Sequence, residues 1–232
     1  DVQKDRLEFE IVGWVKGMKT YSIDYRTILG DTTKKETWDR LAAVLNERFT
    51  RTDGLEMTIK VMAVDTGYNT HYAYDFCRRF DPSRVIAIKG QESLQVPFNS
   101  PTTVDIRMDG RKTGRVRLLN LGVGIFKQRL YGYLKQTLNE DGTAPDGYCW
   151  FPRRDSHYFK GLTAEKLTAI KDKKGYLKYV WEKKFERNEP LDTRVYAMAA
   201  AAYIGVDRWT EEVWDSLINS YERSEEEKPM ER

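Results

Sequence analysis

The chain has 232 residues, of which 40% are hydrophobic and 32% charged, so it carries enough apolar matter for a core and is not a disordered polyelectrolyte. No apolar run approaches the roughly 20 residues of a bilayer span, and the sequence opens on Asp1 without a signal peptide's apolar stretch. Cys77 and Cys149 lie far apart and offer neither a metal knuckle nor a disulfide framework, so a reducing, intracellular setting is expected.

Arg6–Val15 alternates in part, with Leu7, Phe9 and Ile11 on one face, and predicts a strand. Lys16-Gly17 makes a turn, and Thr20–Leu29 predicts the second strand of a hairpin. Asp1–Gln3 is expected to be the end of a further strand. From Asp31 to Phe49, Thr32 or Thr33 serves as a helix cap before Trp38, Leu41, Val44, Leu45 and Phe49 on one face. Met57–Val64 (MTIKVMAV) predicts one buried strand, Asn69–Phe80 a helix stopped by Pro82, and Arg84–Lys89 a second short buried strand. Two buried strands separated by a helix argue for a parallel pair.

Gln91–Gly114, with Pro97 and Pro101, is expected to be loop, Arg115–Leu121 strand, and Ile125–Leu138 helix. Asn139–Gly147 is a polar turn region, Leu162–Ala169 is ambiguous, and Tyr176–Phe185 resembles half of a hairpin. Asp192–Ile204 is an alanine-rich helix, and Glu211–Tyr221 an amphipathic one whose Val213, Trp214, Leu217 and Ile218 are expected to close the domain. The charged segment 222–232 is expected to be a disordered tail, leaving residues 1–221 as one domain. The fold expected is α/β, with a ribonuclease-H-like mixed sheet. Antiparallel hairpin strands join a parallel βαβ unit, helices flank them, and a C-terminal β-hairpin and helices are added.

Three aspartates stand out: Asp1 at the end of a strand, Asp65 closing MTIKVMAV, and Asp192 opening the alanine-rich helix. Sites in open α/β sheets gather at the carboxyl ends of strands. Carboxylates brought together bind hard divalent cations, and two such ions hydrolyse phosphodiesters. Each has a plainer alternative: Asp65 before Thr66-Gly67 as a turn residue, Asp192 as a helix N-cap, and Asp1 as a frayed end. Charge supports a polyanionic partner. Ile106–Gln136 holds eight Lys/Arg against one acid, Arg153–Arg187 eleven against five, and Asp207–Arg232 nine acids against four basic residues.

Candidate phosphate contacts are Lys89, Arg107, Arg111, Lys112, Arg115, Arg117, Arg153, Arg154, Lys171, Lys173 and Lys174, each of which is otherwise an ordinary solvated cation. Tyr148, Trp150, Phe151, Tyr158 and Phe159 stack on bases or, the favoured reading, pack on one another; His157 is expected to make an ordinary hydrogen bond. No phosphate-binding G-x-x-x-x-G-K-[ST] loop occurs, so no ATP hydrolysis is expected of this chain.

Asp1–Trp14 (DVQKDRLEFEIVGW) resembles the start of the nuclease domain in the large terminase subunit of lambda-like tailed phages, the GpA type. YSIDY (21–25), VDTGY (64–68), YDFC (74–77), VIAIKG (85–90), YGYL (131–134), YFKGLTAE (158–165) and LDTRVYA (191–197) follow in that family's order. The resemblance implies a ribonuclease-H-like packaging endonuclease that cuts concatemeric DNA with Mg²⁺ or Mn²⁺, two ions being expected. It implies Asp1, Asp65 and Asp192 as catalytic metal ligands, with Glu189 competing for the last place. It further implies double-stranded DNA, a terminase small subunit, the capsid portal and an upstream ATPase domain as partners, and work in the host cytoplasm at the procapsid portal. No membrane is implied. The rival expectation is a non-catalytic DNA-binding or portal-docking module.

Overall fold

The computed structural model describes residues 1–108 and 110–226. Strands β1 (Arg6–Val15) and β2 (Lys19–Leu29) form the expected hairpin, followed by α1 (Lys35–Val44), β3 (Arg48–Thr50), β4 (Glu56–Thr58) and β5 (Met62–Asp65). Then come α2 (Thr70–Cys77), β6 (Val85–Gln91), β7 (Thr102–Met108), β8 (Arg111–Gly122) and α3 (Val123–Tyr133). The chain continues through β9 (Cys149–Trp150), α4 (Ser156–Leu162), β10 (Glu165–Lys171), β11 (Leu177–Lys183), α5 (Glu189–Tyr203) and α6 (Glu211–Glu226). The charged tail expected from residue 222 is therefore helical through Glu226, and residues 227–232 lie outside the described residues.

The architecture is mixed α/β. One sheet has the order β1-β2-β9, with β9 parallel to β2. A second has the order β5-β6-β8-β7, its first three strands parallel and β7 antiparallel at the edge. β3–β4 and β10–β11 are separate two-stranded ribbons. Period-two alternation explains the layers. Ile86 and Ile88 of β6 face Phe126 and Leu130 of α3, Leu162 of α4, and Leu191 and Val195 of α5. Val85 and Ala87 face the other way, onto a core that holds Trp38 and Leu41 of α1 and Phe76 of α2.

The expected single mixed sheet is interrupted. β1 and β5 are edges of different sheets, and α5 packs against both. Between them lies a cavity of about 240 Å³ lined by Phe9, Ile11, Met62 and Val64 among others. Asp1–Gln3 pairs Val2 with Leu7 of β1, and among the described residues no ladder joins the two sheets.

Other departures have local causes. MTIKVMAV is two strands, because Glu56–Thr58 turns back on Arg48–Thr50 while Met62–Asp65 pairs with β6. The expected loop Gln91–Gly114 contains β7 and the start of β8, which pair antiparallel as far as Met108 and Arg111. Thr32 caps nothing. Its hydroxyl donates to the Gln3 carbonyl at 2.6 Å and so ties the N-terminal segment to the start of α1. Helix α4 was not foreseen; it is seven residues long and starts where the Asp155 carboxylate accepts from the Tyr158 N–H at 2.9 Å. Asp155→Ala is expected to cost about 1 kcal/mol, measured by urea unfolding.

Candidate active site

Asp65 is the last residue of β5 and pairs in register with Ile88 of β6, so it stands at the carboxyl edge of the parallel strands. Its Oδ1 accepts from the Gly67 N–H at 3.2 Å, so the turn role and the edge position coexist. Asp192 lies in the first turn of α5 and is not the N-cap. Asn188 holds that position, and its Nδ2 donates to Asp192 Oδ2 at 2.9 Å. Asp1 is held by reciprocal backbone bonds to Glu8, and its amino nitrogen lies close enough to Asp65 and Asp192 to feel both charges. Its carboxylate accepts from Gln3 Nε2 at 2.6 Å. Asp65 and Asp192 therefore lie near enough to act on each other's charge, whereas the Asp1 carboxylate is turned to Gln3. Among the described residues, no three acids, histidines or cysteines are already gathered tightly enough to hold a metal ion.

Sequence reasoning missed the groups around them. Lys127 of α3 and Glu165 of β10 form a buried ion pair at 2.6 Å. Asn188 donates to Glu165 Oε1 at 3.1 Å as well as to Asp192, so one amide ties the two carboxylates together. Tyr196 follows Asp192 by one helical turn, and its hydroxyl senses Asp65, Asp192 and Glu165. A further acid and a buried cation therefore lie beside Asp192. The signal for Lys127 was its position between Phe126 and Leu130 on the buried face of a helix.

Burial pushes the Asp192 carboxyl up to about 6, with Lys127 pulling it down and Glu165 and Asp65 pushing it further up. Burial also raises Asp65, partly offset by the neighbouring Asp1 amino group, by the Gly67 and Thr66 amides and, least, by Lys89. A raised acid favours the protonated form in the folded chain. The stability Asp192 permits is therefore fullest below its ordinary value of 3.8 and is lost as pH climbs through about 6. In metal-free buffer, Asp192→Asn is expected to melt progressively higher than the parent between pH 4 and pH 7; a constant offset across that range would count against the burial of this charge.

The candidate cations divide by place. Lys89, exposed on β6, is beside Asp65. Arg107, Arg111, Lys112, Arg115 and Arg117 lie on the β7–β8 hairpin at the end of β8 away from the acids, since only Leu118–Gly122 pairs with β6. Lys112 and Arg115 there share Asp105 at 2.8 and 3.3 Å. Arg153 is exposed, whereas Arg154 donates to Ser22 at 3.1 Å and lies over the Tyr158 ring at 4.8 Å. Lys171, Lys173 and Lys174 are exposed at the end of the β10–β11 ribbon, and His157 is exposed on α4. The aromatics pack on one another: Trp150 stacks on Tyr21 at 4.4 Å, and Tyr158 meets Phe159 edge-on at 5.2 Å.

The family model for "Terminase large subunit gpA, endonuclease domain" matches residues 1–214. The chain is 32% identical over 215 residues to the terminase large subunit of Escherichia phage lambda, which covers 90% of this chain and 32% of that protein. It is 30% identical, with the same coverage, to the terminase large subunit of Enterobacteria phage P21. The chain thus spans about a third of the length of these relatives. No solved structure matches it.

Proposed function

This chain belongs to the endonuclease-domain family of the terminase large subunit gpA, and from that premise we propose that it hydrolyses DNA phosphodiester bonds in viral genome packaging. The observation that carries the reading is the meeting of Asp65 and Asp192, half-buried and far apart in sequence, at the carboxyl edge of the parallel strands. A cluster of carboxylates with raised protonation equilibria suits a hard divalent cation, which relieves their repulsion. Asp65 and Asp192 would hold Mg²⁺ or Mn²⁺, with Asp1 completing the set once its carboxylate leaves Gln3; we propose two ions. Such ions polarise the attacking water and stabilise the leaving oxygen. Asn188 orients Asp192, Glu165 orients Asn188, and Lys127 balances the charge of Glu165. Lys89 is placed to meet a phosphate beside Asp65.

We read the fold as ribonuclease-H-like, supported by an antiparallel hairpin followed by the parallel pair β5–β6 and by Asp65 at its edge. Double-stranded DNA, a terminase small subunit, the capsid portal and an upstream ATPase domain are the partners we propose, in the host cytoplasm at the procapsid portal. The second reading, a DNA-binding or docking module, is favoured by one observation, that no three-acid group is assembled among the described residues. Supercoiled plasmid incubated with Mn²⁺, Mg²⁺ or EDTA separates the two. Indiscriminate nicking with either metal and none in EDTA is expected; DNA binding without nicking would favour the module.

A further inference from the structure

Among the described residues the β10–β11 ribbon pairs with no other strand. Its register puts Leu167 opposite Trp181, Ala169 opposite Tyr179, and Lys171 opposite Leu177, all on the face that begins with Glu165. The base of that face belongs to the acid site. Glu165 is buried on Lys127, and the Trp181 ring lies 5.9 Å from Lys127 Nζ and 5.4 Å from the Tyr131 ring. Towards the tip the same face is bare: Tyr179 is 65% exposed, Leu177 67%, and Tyr176, in the turn, 70%. Among the other large apolar side chains described, only Leu29 is so exposed.

Apolar side chains normally reach the surface singly; a contiguous bare patch marks a contact. This patch is framed by Lys171, Lys173, Lys174 and Lys178, for which no ion pair is found among the described residues. The nearby acids are occupied. Asp172 accepts from the amides of Lys174 and Tyr176 at 2.8 and 2.9 Å, which closes the turn, and Glu182 pairs with Lys184 at 2.7 Å. A two-stranded ribbon whose exposed lysines surround flat rings complements a polyanion that also offers planar or apolar edges. Duplex DNA has both, and its major groove admits a two-stranded ribbon.

We propose that the β10–β11 hairpin is a DNA-gripping wing. Lys173 and Lys174 hold phosphates, Tyr176 and Tyr179 lie against sugars and base edges, and the face leads the duplex from the tip down to Glu165, Asp192 and Asp65. The proposal rests on the nucleic-acid reading above, and it is tested without cutting. Binding of a short fluorescent-labelled duplex is measured in EDTA by anisotropy against salt. Lys173→Ala/Lys174→Ala is expected to lower the slope of log affinity on log salt by about 1.8, two phosphate contacts at about 0.9 each. Tyr176→Ala/Tyr179→Ala is expected to weaken binding about tenfold with the slope unchanged.

All four positions are exposed, so melting temperatures are expected to match the parent. Parental affinity and slope in both variants would overturn the wing and assign the patch to a protein partner, leaving the nuclease reading intact. A parent that binds the duplex but never nicks plasmid would overturn the nuclease reading and leave the wing standing. A parent that does not bind duplex DNA overturns both.

Discussion

Asp65→Asn is expected to abolish metal-dependent nicking, by more than about a hundredfold, the upper end of what changes to groups behind a metal ligand produce. The substitution keeps the side chain's shape and its acceptor for the Gly67 N–H, and removes only the charge. Asn188→Ala removes an amide that orients Asp192 without removing a carboxylate, so its loss is expected to fall within about 10- to 100-fold. Stability separates function from folding. Burial already disfavours the Asp65 charge, so its asparagine variant is expected to melt no lower than the parent at neutral pH. A variant that is as stable as the parent and inactive identifies an acid kept for chemistry; one that still nicks plasmid at the parental rate would remove Asp65 from the mechanism.

What the sequence made legible were the features written in local pattern. Alternation in RLEFEIVGWV and the apolar run VIAI predict strands that form, because both report a neighbour on each face of the pleat. The alternation is silent on Glu8 and Glu10, whose side chains are fully buried and are met by Arg6, Arg187 and Arg194. β7 was illegible because TTVDIRM is half polar and finds its ladder only when Arg111–Leu118 folds back upon it. Asp65 and Asp192 were legible as an acid at a strand end and an acid at a helix start. Their companions were not, since Lys127 and Glu165 are 38 residues apart and only the tertiary fold pairs them. Lys173 and Lys174 were read from charge alone; the bare tyrosines beside them gain meaning only from the register of the ribbon.

The largest effect on stability is expected at Arg194, which is fully buried two residues beyond Asp192. Its Nη1 donates to Glu10 Oε1 at 3.0 Å, its Nη2 donates to Thr20 Oγ1 at 2.5 Å, and its guanidinium lies 5.2 Å from the centre of the Phe151 ring. Glu10 Oε1 also accepts from Ser22 at 2.6 Å and Tyr158 at 3.0 Å, while Glu10 Oε2 has no hydrogen-bond partner among the described residues. Arg194→Met of similar length leaves that carboxylate buried and uncompensated, at an expected cost of about 3–5 kcal/mol. At about 2–4 °C per kcal/mol for a protein of this size, the melting temperature falls by roughly 6–20 °C. Glu10→Gln keeps an acceptor for Ser22 and Tyr158 and removes the charge, so adding it to Arg194→Met is expected to restore at least about 1 kcal/mol by urea unfolding, a coupling between neighbours in one network. Simple additivity of the two changes would mean that the pair fills space without a charge interaction. Because Arg194 fastens α5 to β1 and β2, it also fixes the first turn of α5, where Asp192 meets Asp65. Loosening it is therefore expected to weaken nicking in the fraction that remains folded, measured well below its melting temperature.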